Sequence, residues 1–127
     1  MMNVALWLVQ IVLALGFGAS AVMKGTWDRE RLVRAGQTGV QGLPVPLIRT
    51  IALVELLGAV GLLAPWASGI APYLTPVAAL GLAVIMVLAA GVHIILREPK
   101  NVLIPTLIGA ACCFVAYGRG MRLTWEG

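Results

Sequence analysis

Four long apolar stretches dominate the chain: Val4 to Met23, Leu47 to Ala64, Pro72 to Leu96 and Val102 to Gly118. Each is close to the ~20 apolar residues an α-helix needs to cross a bilayer at about 1.5 Å per residue. The runs are too continuous for transmembrane β-strands, which alternate over segments of roughly ten residues. Backbone in lipid must satisfy its own N–H and C=O groups, and that leaves the helix. The pattern predicts an all-α protein, a four-transmembrane-helix antiparallel bundle with both termini on one side. Residues 1–127 read as one domain without internal repeats.

The second stretch is the hardest to insert, because Arg49 lies near its start and Glu55 inside it. Its leucines, isoleucines and valines contribute about −3 to −6 kcal/mol in total on an insertion scale. A central carboxylate costs about +3 kcal/mol on a similar scale. The span survives with little margin. Ala19-Ser20-Ala21 imitates a signal-peptidase site. The preceding residues lack a basic region and the apolar run is long, so the first stretch is expected to remain as a span.

Ionisable groups inside membrane helices are rare and by default mark a functional site. Three stand out: Lys24 at the end of span one, Glu55 in span two and His93 near the end of span three. Helical periodicity assigns each a face. Gln10, Phe17, Ser20 and Lys24 align on the first span, and Ala52, Glu55, Gly58 and Ala59 on the second. Thr75, Ala79, Ala83, Met86, Ala90 and His93 align on the third, and Thr106, Ala110, Cys113 and Tyr117 on the fourth. These stripes are rich in small residues, which let membrane helices approach closely, so they are expected to face the bundle. There the three ionisable groups could meet, with Lys24 extending its stem toward Glu55 or His93.

Composition agrees with the pattern. The chain is 61% hydrophobic and 11% charged, with a mean hydropathy of +0.99. Soluble domains carry about 25% charged residues, so soluble and disordered classes are excluded. Among the nine basic residues, Lys24, Arg29, Arg31, Arg34, Arg49, Arg97 and Lys100 flank two connections, leaving Arg119 and Arg122 after the last span. This asymmetry places the basic loops in the cytoplasm and both termini outside. Trp7, Trp66, Tyr73 and Trp125 then fall near the outer interface and Trp27 near the inner one. The net charge of +4 reads as a topology and anionic-lipid signal, and no nucleic-acid partner is expected. Trp27 to Arg34 in the first connection forms a candidate interfacial helix, ended by glycines.

Bland readings stand beside the functional ones. Glu55 with Lys24 or His93 serves equally as a structural ion pair, and Lys24 alone serves as an interfacial anchor. Zinc needs three or four ligands, and only His93, Glu55 and Cys113 are candidates, so no metal site is expected. Cys112 and Cys113 point about 100° apart on a helix and read as filler rather than a disulfide. Ala14/Gly18 and Gly109/Cys113 form small-xxx-small pairs that suit either a homo-oligomer or packing within the bundle.

Four segments in order carry a resemblance. They are Gly18-Ala19-Ser20-Ala21-Val22-Met23-Lys24, the run Val54 to Leu63, Ala89-Ala90-Gly91-Val92-His93, and Val115-Ala116-Tyr117-Gly118-Arg119. Together they resemble the DoxX-like family of small four-helix membrane proteins, over nearly the whole chain. Lys24, Glu55 and His93 fall on that family's polar positions. The family is named after a subunit of a thiosulfate:quinone oxidoreductase. The resemblance thus implies a quinone-linked redox component, with quinone a diffusible substrate and no resident cofactor evident. It also implies a bacterial cytoplasmic membrane and a membrane or soluble redox partner.

Two alternatives remain. One is a cofactor-free acid–base enzyme, an isomerase or epoxide-opening type, acting on an apolar substrate. The other is a non-catalytic assembly or chaperone subunit. In the catalytic readings Glu55 relays protons, His93 is its complement or donates to a carbonyl, and Lys24 stabilises developing negative charge. Ser20, Gly58, Met86, Ala90, Thr106 and Cys113 are the candidate wall of a pocket for a lipophilic small molecule. Fold-level analogy leaves the reaction open.

Overall fold

The computed structural model describes residues 2–126, and side chains over that range apart from residues 39 and 123–126. The interfacial placement expected for Trp125 therefore lies outside the described side chains. The described residues form helices and turns only. The order is α1 (Met2–Thr26), α2 (Arg29–Arg34), a short 3-10 turn (Thr38–Val40), α3 (Val45–Ser68), α4 (Leu74–Ile95) and α5 (Pro99–Glu126). The chain is an all-helical membrane protein, with α1, α3, α4 and α5 long and apolar enough to span. α1, α3 and α5 extend past their apolar runs at both ends, whereas α4 is shorter than the run Pro72 to Leu96 at both ends.

Local chemistry accounts for the boundaries. Asp28 caps α2, its carboxylate accepting from the Arg31 N–H at 2.7 Å, so the expected interfacial helix is present but begins at Arg29. Pro44 and Pro46 preset the entry of α3, where a proline costs no intrahelical bond. Gly69, at φ 73°, ends α3 in the left-handed conformation that glycine adopts freely. Within α3, Pro65 has no N–H for the carbonyl of Gly61. Thr75 of α4 replaces that donor, its hydroxyl lying 2.9 Å from Gly61 O.

The four long helices form two pairs, α1 with α3 and α4 with α5, which pack more extensively within than between pairs. The pairs touch at one end, the end carrying both chain termini. There a Cβ on Gly118 would lie 2.6 Å from Leu6, one on Gly61 2.7 Å from Ala78, and one on Gly58 2.7 Å from Leu82. Only glycine allows these approaches. Leu13, Phe17, Ala59, Leu62, Leu82, Cys112 and Val115 form the core where the pairs meet. Toward the other, basic end the pairs separate, and residues 36–43 close the gap. A small second cluster of Leu32, Val40 and Ile48 seats that connection.

Three of the four predicted inward stripes are on the inside. On α5 the face is reversed: Thr106, Ala110, Cys113 and Tyr117 are exposed, whereas Pro105, Cys112, Val115, Gly118 and Arg119 are buried. Arg119, expected after the last span, lies within α5 instead, is 0% exposed and joins three helices. Its Nε donates to Gln10 Oε1 at 2.6 Å and its Nη1 to Asn3 Oδ1 at 2.8 Å. Its guanidinium lies 4.5 Å from the Trp66 ring centre and 5.3 Å from that of Trp7. Two aromatic faces and two amide oxygens replace the water that a buried guanidinium loses.

Candidate functional site

The separation of the helix pairs leaves a cavity of about 570 Å³. Its walls are aliphatic and aromatic: Leu13 and Phe17 from α1, Ile51 from α3, Ile85 and Met86 from α4, and Ile104 and Ile108 from α5. The polar groups gather at the basic end: Ser20, Lys24, Gln37, Glu55, His93 and Asn101. Gly36, Gln37, Val40 and Leu43 of the first connection lie over that end. The shape suits an amphipathic small molecule, with most of its surface in apolar contact and a few polar atoms fixing orientation.

One face of the polar end is an ion pair. Lys24 Nζ donates to Glu55 Oε1 at 2.7 Å, and the two residues are 9% and 1% exposed. Ser20 donates to the other carboxylate oxygen at 2.8 Å. Gln37 in turn reaches Ser20 Oγ at 3.4 Å. Glu55 is therefore hydrogen-bonded on both oxygens, as burial of a carboxylate requires. Lys24 turns inward instead of anchoring at an interface. The turn is possible because Arg49 satisfies the end of α1 in its place, donating through Nη1 to the carbonyls of Lys24 and, at 3.0 Å, Trp27. A cation at a helix C-terminus is favoured there.

The opposite face is a second pair. His93 Nδ1 lies 3.1 Å from Glu98 Oε1, and Thr38 donates to the same oxygen at 2.8 Å. These contacts hold the Glu98 carboxyl below the usual carboxylate range, His93 contributing most and Thr38 next. Chain geometry brings Glu98 back onto α4. Arg97 takes φ 59°, the Glu98 N–H donates to His93 O at 2.9 Å, and the Arg97 N–H to Ile94 O at 3.0 Å. This is a Schellman closure with arginine where glycine is usual.

The three ionisable residues named from sequence thus line one cavity, but His93 pairs with Glu98, and Glu55 with Lys24 and Ser20. Ser20 and Met86 line the cavity as well. Gly58, Ala90, Thr106 and Cys113 are not among its wall residues. Gly58 is covered by Leu82. Thr106 turns its hydroxyl onto Val102 O, 2.8 Å away on its own helix, and Cys113 is exposed. Gln37, Asn101 and Glu98 carry no such signal in the sequence, because each comes from a connection or helix start placed only by tertiary folding. Pro105 is the exception that could have been read. It deprives the Asn101 carbonyl of its i+4 donor and so leaves an acceptor at the polar end.

The sequence model of the DoxX-like family matches residues 8–115, from the first third of α1 to just past the middle of α5. The chain belongs to the DoxX-like family. The matched span of this DoxX-like protein contains Ser20, Lys24, Glu55, Met86, His93, Glu98 and Asn101, and stops short of Arg119. Neither the curated proteins nor the solved structures contain a match to it.

Proposed function

We propose that this DoxX-like protein binds a lipophilic small molecule with a hydrogen-bonding head group, and acts as a quinone-linked component of a membrane redox system. The supporting observation is the cavity itself: apolar walls over most of its depth, with every polar lining group at one end. A quinone ring carries two carbonyls, which accept hydrogen bonds, and its reduction takes up two electrons and two protons. Lys24 faces one side of the polar end and His93 the other. With Nδ1 donating to Glu98, Nε2 of the neutral ring accepts from a quinol hydroxyl, and once protonated it donates to a quinone carbonyl. Electrons would come from a redox partner, and the side chains hold the head group and move protons.

Binding is tested by titrating the purified protein with a short-tailed 1,4-benzoquinone and following quenching of intrinsic tryptophan fluorescence. Met86→Trp adds bulk to the cavity, leaves the residues of the Lys24–Glu55 and His93–Glu98 pairs unchanged, and is expected to abolish saturable binding while the helical content is retained. Saturable binding undiminished in that variant would overturn the assignment of the cavity.

A cofactor-free acid–base reaction on an apolar substrate is the second reading, and the His93–Glu98 pair favours it. A carboxylate on one imidazole nitrogen fixes the tautomer and leaves the other nitrogen as base. The readings separate at Glu98→Gln. The redox-component reading expects quinone affinity to fall in that variant, whereas the acid–base reading expects turnover to fall with binding intact.

A further inference from the structure

A second, shallower groove of about 280 Å³ runs along the seam between α1 and α5, lined only by Leu8, Val9, Val12, Leu13 and Ala111. Val12 and Leu13 also line the main cavity, so the two spaces adjoin across these two side chains. We propose that this groove is the seat of a linear hydrocarbon tail whose polar head lies between Lys24 and His93, and that the ligand reaches the cavity sideways from the bilayer through the α1/α5 seam. The inference rests on the ligand-binding reading above and adds the tail class and the route.

The seam has the form such a route needs. At the terminal end α1 and α5 are locked together by Leu6 against Gly118 and by Arg119 on Gln10 and Asn3. Toward the basic end they part, and Val12 and Gly16 on α1 face Ile104 and Ile108 on α5 across the cavity. Val12 is 68% and Ile104 61% exposed, so the cavity is walled here by residues that also meet lipid. A Cβ on Gly16 would meet nothing within 4 Å, so the edge of the opening is free of packing. The opposite end of the cavity is covered by residues 36–43, and Thr38 ties that cover to Glu98. A lipophile thus meets less obstruction from the side than from the basic end.

The groove also matches the chemistry of one chain. Its lining is apolar, α5 contributes only the small side chain of Ala111, and Leu8 and Val12 on α1 are largely exposed. From Lys24 to Leu8 is sixteen residues, or about 24 Å of helix. A head at the polar end and a tail ending beside Leu8 would span most of a hydrocarbon core about 30 Å thick.

Affinity is a poor readout, because a tail leaving lipid for an apolar groove exchanges one hydrocarbon environment for another. Position is the better one. The probe is a 1,4-benzoquinone with a linear alkyl tail carrying a photoreactive diazirine, either beside the ring or at the tail's end, used on the full chain in nanodiscs with mass-spectrometric mapping. The ring-proximal label is expected on cavity residues such as Met86. The terminal label is expected on the Leu8–Leu13 segment and on Ala111, about tenfold above the exposed face of α4 around Val84 and Val87. An excess of tail-free benzoquinone should compete both away. Ala111→Leu, which adds bulk on the α5 side of the groove, and Leu8→Trp, which adds bulk from an exposed position on α1, should each disperse the terminal label and leave the ring-proximal label in place.

If the ring-proximal label is competed at the cavity but the terminal label lies at the α3/α4 seam near Ile51 and Leu88, or scatters over lipid-facing helix surfaces, the groove is overturned and the binding reading stands. If no label at the cavity is competed, the binding reading falls and the groove with it.

Discussion

Glu55 and Lys24 lie 2.7 Å apart in an apolar interior, and removal of either leaves the other with an uncompensated desolvation cost. Glu55→Gln is expected to lower stability by about 3–5 kcal/mol, the range for breaking a buried pair. Glu55→Leu combined with Lys24→Met should cost less than the single change, because the pair is then replaced by hydrocarbon. Thermal unfolding in detergent decides the order of the two. Glu98 sits outside the spans and behaves differently. Its carboxyl is held down first by His93 and then by Thr38. A depressed folded-state pKa stabilises above the unfolded value and loses that stabilisation as pH falls through the folded one. The Tm difference between wild type and Glu98→Gln should therefore close as pH drops below about 4. Residue chemistry was legible in sequence where an ionisable group interrupts an apolar run, as at Glu55. It was illegible at Glu98 and Arg119, because each lies beside a helix end, where a charge ordinarily meets water.

At the scale of the helix, close approach depends on missing side chains. A Cβ at Gly58 or Gly118 would fall within 2.7 Å of Leu82 or Leu6, both fully packed. Gly58→Ala and Gly118→Ala are each expected to destabilise by about 1–3 kcal/mol, the usual cost of overpacking. Gly16→Ala, with open space around its Cβ, should be neutral or stabilise by up to about 1 kcal/mol through helix propensity. Unfolding midpoints of the three variants provide the check. The four spans and a short helix within Trp27 to Arg34 were readable, because each follows from a local rule about hydrocarbon length or glycine as a helix breaker, although α3 runs from Val45 to Ser68 where the apolar run suggested Leu47 to Ala64. The face of α5 was not. Thr106, Ala110 and Cys113 satisfy the small-residue rule, yet the buried stripe runs through Pro105, Cys112 and Val115. Small residues are tolerated on a lipid face as well as a protein face, so the pattern alone does not choose.

Across the whole molecule, two helix pairs meet at one end and part at the other, and the polar groups occupy the open end. Seven of the nine basic residues flank the connections at that end, so the positive-inside rule expects the open end at the cytoplasmic face and both termini outside. A C-terminal alkaline phosphatase fusion should be active, and a cysteine placed at Gln41 should react with an impermeant reagent only after lysis. An inactive fusion would reverse the orientation. The sequence by itself determined membrane residence, the number of spans and the three ionisable residues within them. Those depend on the cost of exposing backbone and charge to hydrocarbon, which is paid residue by residue along the chain. Only the tertiary structure decided which charges pair, that Arg119 is buried, and that a cavity opens between the helix pairs. Those depend on distances between helices, and no local rule sets the angle at which two apolar surfaces meet.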